Sequence, residues 1–202
     1  GGDDGLFLAK VCHGYDLAYN ALSVGDRSRI EEGLIRPLAE HLKLSDWMYT
    51  NHSRWALVCL YGVMIAGATL NDQTMEDLAL YGQNGTKDNV TGGFMDCFKQ
   101  SGQHEGAIWP ADAKIEDQMA SVNVMTTVAE VLRHRGVDLY DYQDRALKRS
   151  FDAALATSSS GDLNSVLTLP GLDAFQYAYL RYQDPRYLPV VEKLKPSFAL
   201  SL

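Results

Sequence analysis

The stretch "TNHSRWALVCLYG", residues 50–62, places polar side chains in front of an apolar run that continues to Leu70. From Trp55 to Leu70 there are 16 residues without a charge, interrupted only by small or weakly polar ones at Gly62, Gly67 and Thr69. That is short of the ~20 residues needed to cross a bilayer, so the run predicts a buried core helix. If Asn51 opens this helix, Asn51, His52 and Trp55 fall within roughly a 100° arc, because each residue advances an α-helix by about 100°. Cys59, Gly62 and Ala66 continue the same arc and are all small, which suits close packing against another helix. The mouth of the arc has two readings. Asn is a favoured N-cap and Trp a common core residue; an amide, an imidazole and an indole on one short face also make a binding edge.

Outward from this run, apolar residues recur at helical spacing and period-two alternation is scarce, so the chain reads as all-α. A first helix is expected over Leu6–Leu22. A second carries Ile30, Leu34, Leu38 and Leu42 on one stripe, with Gly33 and Pro37 as causes of a kink. A helix after Asn71-Asp72 should stop at Gly82, before the turn-rich "GQNGTKDNVTGG". A short helix near Phe94–Gln100 leads into "SGQHEGAIWPAD", read as a loop. Ile115, Met119, Val122, Ala129 and Leu132 mark a long helix ending at Gly136. Another covers about Tyr142–Leu155, "ATSSSGD" is read as a link, and Asp184-Pro185 separates the last two elements. Such a series of helices predicts stacked antiparallel hairpins in one domain over residues 1–202, and its geometry allows a bundle, a solenoid or part of an α/α toroid.

Composition narrows the partners. The 202 residues are 46% hydrophobic, ample for a packed core, and 18 Lys+Arg against 26 Asp+Glu give a net charge of −8. The molecule as a whole has no footprint for nucleic acid or an anionic membrane. Cys12, Cys59 and Cys97 form no metal-spaced pair and read as buried thiols, with at most one disulfide; no cofactor is expected. No signal peptide is visible at the start. The sequons at Asn51, Asn84 and Asn89 are short patterns of little weight.

A second polar candidate is "HEGAIWPADAKIEDQ", residues 104–118, with Trp109, Asp112, Lys114, Glu116 and Asp117 on a loop entering a helix. Sugar stacking and polar contacts would be natural there; a solvated, acidic helix start uses the same residues. His13, His41 and His134 read as helix-surface or packing residues. The order "NHSRW", "EGAIWPADAK", "AEVLRHRGVDLY" and "LKRSFDAAL", with "YDLAYNALSVGDRSRIEEGLIRPLAEHL" before and "AYLRYQDPRYL" after, resembles the alginate lyase family and, more distantly, heparinase-type lyases.

The resemblance implies an incomplete α/α toroid whose cleft binds an anionic uronate polysaccharide or oligosaccharide and cleaves it by β-elimination, in a periplasmic or secreted setting. It implies catalytic roles for Asn51, whose amide helps neutralise the C5 carboxylate, and His52, which helps in proton abstraction or charge stabilisation. Trp55 and Trp109 would line sugar subsites, with Asp112 and Lys114 as further substrate contacts. The C5 proton becomes acidic only when its carboxylate is screened, and the enolate that develops needs preorganised donors. The chain departs from the family at two positions: Ile115 stands where an Arg is expected and Val122 where a Tyr is expected. Tyr15, Tyr49 and Tyr61 are the candidates to replace that Tyr. A catalytically impaired carbohydrate-binding protein on the same scaffold is the alternative reading; a glycoside hydrolase would need two carboxylates paired across the sugar.

Overall fold

The computed structural model describes residues 2–51, 53–103, 115–157 and 173–198. The described residues are helical with no strand; an isolated bridge joins Thr86 and Asn89 in the turn-rich loop. Among them, no helix is long and apolar enough to cross a membrane. The chain divides into two compact units, Gly1–Cys97 and Phe98–Leu202.

In the first unit, α1 spans Gly2–Ala18 and a 3-10 turn covers Tyr19–Ala21. Ser23 caps α2, Val24–Ile30, by accepting the amide of Asp26. The kink expected around Gly33 and Pro37 takes the form of a π-helical turn over Glu31–Ile35, which leads into α3, Arg36–Lys43. The extra residue in that turn shifts the register. The buried positions are accordingly Ile35, Ala39 and Leu42, while Leu34 is exposed, so the Ile30-Leu34-Leu38-Leu42 stripe does not survive intact.

The single turn α4, Trp47–Thr50, precedes α5, Arg54–Leu70, and α5 is capped by Ser53. Ten of its residues are buried. Asn71, in the left-handed conformation, and Asp72, whose carboxylate accepts the Met75 amide, turn the chain into α6, Gln73–Tyr81. Gly82 ends α6 with φ 84°, a conformation that favours glycine. α6 folds back along α5, bringing Glu76 against Gly67.

The contacts between α1 and α5 fix their relative direction. Gly2 lies under the Trp55 ring, Gly5 meets Val58, Cys59 and Gly62, and Cys12, His13 and Asp16 lie around one groove with Ile65, Ala68 and Thr69. Contacts that advance together along both helices mean that α1 and α5 run parallel. A Cβ placed on Gly62 would meet the Gly5 carbonyl oxygen at 2.5 Å, so two glycines let the backbones approach this closely. The small residues Cys59, Gly62 and Ala66 are indeed a buried packing face.

Helix α7, Gly93–Gln103, contains the division between the units. In the second unit, α8 spans Ile115–His134 and is followed by Gly136 at φ 83°. α9 covers Tyr142–Thr157 but opens with Gln143, Asp144 and Arg145 in the left-handed region, so its regular part starts after Arg145. α10 is Ala174–Tyr182; after Asp184, a 3-10 turn at Pro185–Tyr187 leads into α11, Leu188–Phe198. The loop expected at 101–112 begins later than the sequence suggests, because α7 continues through Gln103; residues 104–114 and 158–172 lie outside the described residues.

The core of this unit is a ring cluster: Phe151 and Phe175 stand 4.9 Å apart in an edge-to-face pair, with Tyr187 5.6 Å from Phe175. Around it lie two ion networks. Glu130 receives Arg181 at 2.9 and 2.8 Å and the Tyr140 hydroxyl at 2.6 Å. Burial alone would raise the Glu130 carboxyl, but the Arg181 and Tyr140 hydrogen bonds outweigh it and hold it at about 2. In the second network, Lys148 and Arg186 bridge Asp152 and Asp184, and the Tyr187 hydroxyl donates to Asp152.

Candidate functional site

The corner between α4 and α5 carries the residues the sequence singles out. Asn51 does not open α5. Its own amide N–H returns to the Trp47 carbonyl at 2.9 Å, its backbone is extended, and its side-chain oxygen accepts the Ser53 amide at 2.9 Å. This is an Asx turn that feeds the chain into the true cap, Ser53, whose hydroxyl accepts the Ala56 amide at 3.4 Å. Asn51 is exposed at the outer edge of that turn. Of the described residues at the mouth of the expected arc, Trp55 lies on the helix and Asn51 does not.

Trp55 sits in the first turn of α5 and is 45% exposed, on a helix that is otherwise largely buried. The Arg54 guanidinium stacks over its ring, 4.4 Å from the centroid. Cation–π stacking of this kind holds a long side chain in place with its charge near the surface. Arg54 stands inside the "NHSRW" motif, yet sequence reasoning weighed its neighbours and passed over it. The signal was its position directly before an aromatic.

His52 lies outside the described residues, as do Trp109, Asp112 and Lys114. Glu116 and Asp117 fall in the first turn of α8. Ile115 is the first residue of that helix and Val122 is in its buried face.

The three candidate tyrosines lie in the first unit, and each hydroxyl has a partner there. Tyr15 donates to Glu31; burial, reinforced by that carboxylate, pushes its phenol up to about 12. Tyr49 is buried beside the corner and donates to the Lys43 carbonyl at 3.2 Å, with burial again raising the phenol. Tyr61 shares a 2.9 Å hydrogen bond with Nε2 of His13, and burial raises it too. Tyr61 stands seven residues into α5, about 10 Å along the axis from its start, and faces α1. His13, read from sequence as a packing residue, is thus half of a His–Tyr pair. Its partner is 48 residues away, and no local spacing reveals it.

Cys12, Cys59 and Cys97 are buried and none of them forms a disulfide. Among the described residues, no group of three His, Cys, Asp or Glu side chains is placed to hold a metal ion.

Compared with known proteins, the chain is 25% identical over 208 aligned residues to an alginate lyase of Stenotrophomonas maltophilia (strain K279a). The alignment covers 96% of this chain and 27% of that protein, so the chain spans about a quarter of the length of the relative it matches. No protein-family model matches, and no solved structure does. The similarity is to an alginate lyase, over nearly the whole of this chain.

Proposed function

We propose that this chain carries a substrate-binding edge of a polysaccharide lyase that acts on a uronate-containing polymer. The observation that carries the reading is the end-to-end likeness to an alginate lyase. The α4–α5 corner, with exposed Asn51 and half-exposed Trp55, is where the substrate would dock. The parallel pair α1 and α5, with α6 running back along α5, supports reading the first unit as helical hairpins of an α/α toroid. A periplasmic or secreted location goes with the same reading.

The chemistry assigns the residues as follows. In β-elimination a base removes the C5 proton, the electrons form a C4–C5 double bond, and the C4–O bond to the leaving sugar breaks as its oxygen takes up a proton. The step needs positive or donor groups on the C5 carboxylate to stabilise the enolate. Asn51 offers an amide, and Arg54, steadied by Trp55, supplies the cation that Ile115 does not. In this reading Trp55 positions Arg54 as much as it lines a sugar subsite. His52 moves the proton.

Incubation with alginate and other uronate polymers tests the proposal: an unsaturated uronate end absorbs in the ultraviolet, and Arg54→Ala should lower the rate at least tenfold with the helical content unchanged. Absence of an absorbing product on every polymer, from folded protein, sinks the lyase reading. The engagement of all three candidate tyrosine hydroxyls favours a second reading, carbohydrate binding without cleavage. Saturable oligosaccharide binding that Arg54→Ala weakens, with no bond broken, would establish it.

A further inference from the structure

Beyond the α4–α5 corner, the groove between α1 and α5 holds a cleft of about 230 Å³ lined by Cys12, His13, Asp16, Ile65, Ala68 and Thr69. It is smaller than the ~300 Å³ at which pockets for drug-sized ligands begin, so it suits a single small ring. We propose that this cleft is a binding site for a small neutral hydroxylated ring, a monosaccharide or cyclic polyol, held between Asp16, His13 and Thr69.

The polar groups are arranged for hydroxyls. His13 and Asp16 are three residues apart on α1 and therefore share a face. Thr69 faces them from α5, and the buried Cys12 thiol lies at the floor. Nε2 of His13 is engaged by the Tyr61 hydroxyl at 2.9 Å, so Nδ1 is the ring nitrogen left for a ligand hydroxyl. The two Asp16 carboxyl oxygens give acceptors for two neighbouring hydroxyls of one ring. Ile65 and Ala68 form an apolar wall for the ring's carbon face.

The same groups select by charge. Among the described residues no Lys or Arg lines the cleft, and the Asp16 side chain disfavours a second carboxylate beside it. A uronate is therefore a poor ligand here, which separates this site from the polymer edge at Asn51 and Arg54.

Ligand-observed NMR titration with glucose and, in parallel, with glucuronate decides the matter. Glucose should bind saturably, at least fivefold tighter than glucuronate. Asp16→Asn should weaken glucose binding at least fivefold, and Ala68→Leu, which fills the cleft, should abolish it with the thermal melt retained. Asn51→Ala should leave glucose binding unchanged, so that this site and the polymer edge stand or fall separately. No saturable glucose binding, binding that survives Ala68→Leu, or equal affinity for glucuronate would overturn the proposal.

Discussion

The two compact units hold their helices together by different means. In the first, α1 meets α5 at Gly5 and Gly62 and α6 meets α5 at Gly67, so the contacts are backbone against backbone with little side chain between. In the second, Phe151, Phe175 and Tyr187 fill the space between helices, and buried or half-buried ions tie the periphery. Packing at glycines leaves no volume to spare, whereas packing through rings and ion networks depends on large side chains and on protonation. The first unit should therefore respond to added methyls and the second to removed rings and to acid.

The largest effect is expected where most volume is lost. Phe175→Ala removes a fully buried ring from the centre of the second unit and should cost roughly 3–5 kcal/mol in urea denaturation. A loss under about 1 kcal/mol would mean that the ring cluster is not what holds this unit.

Next comes Gly62→Ala. The new methyl meets the Gly5 backbone, which has no flexible end to move aside, so a loss of about 2–3 kcal/mol is expected from overpacking. The same change at Gly14, where nothing lies within 4 Å, should instead raise stability slightly through helix propensity. If both substitutions are neutral, the tight α1–α5 contact is refuted.

Smallest is the acid response of Glu130, on the order of 2 kcal/mol. Its carboxyl is held below the usual range, so its contribution is present above the unfolded pKa near 4.5 and is lost as pH falls toward about 2. Glu130→Gln should be less stable than the parent at pH 7, and the gap should narrow by pH 3. A gap that stays constant with pH would remove the ion network from the account.

Much of the helical order is legible in the sequence because its punctuation is local. Asp72, Gly82, Gly136 and Asp184-Pro185 end or start helices where their own backbone preferences demand it. The register of the second helix is not legible, because whether Gly33 and Pro37 produce a bend or a π turn depends on packing. One inserted residue moves burial from Leu34 to Ile35. The start of α5 is ambiguous for a similar reason. Asn51 and Ser53 are both good caps, and the turn of α4 just before them decides which one is used. The His13–Tyr61 pair joins two helices far apart in sequence, so it emerges only once α1 and α5 lie parallel.

The buried thiols of the α1–α5 interface make its opening observable. Cys12 and Cys59 are both about 1% exposed, and burial pushes the Cys12 thiol up to about 11, so neither reacts readily while the helices stay together. Their alkylation rate in native buffer is therefore a clock for helix separation: each labelling event records one excursion of the interface, without denaturant and without an engineered label.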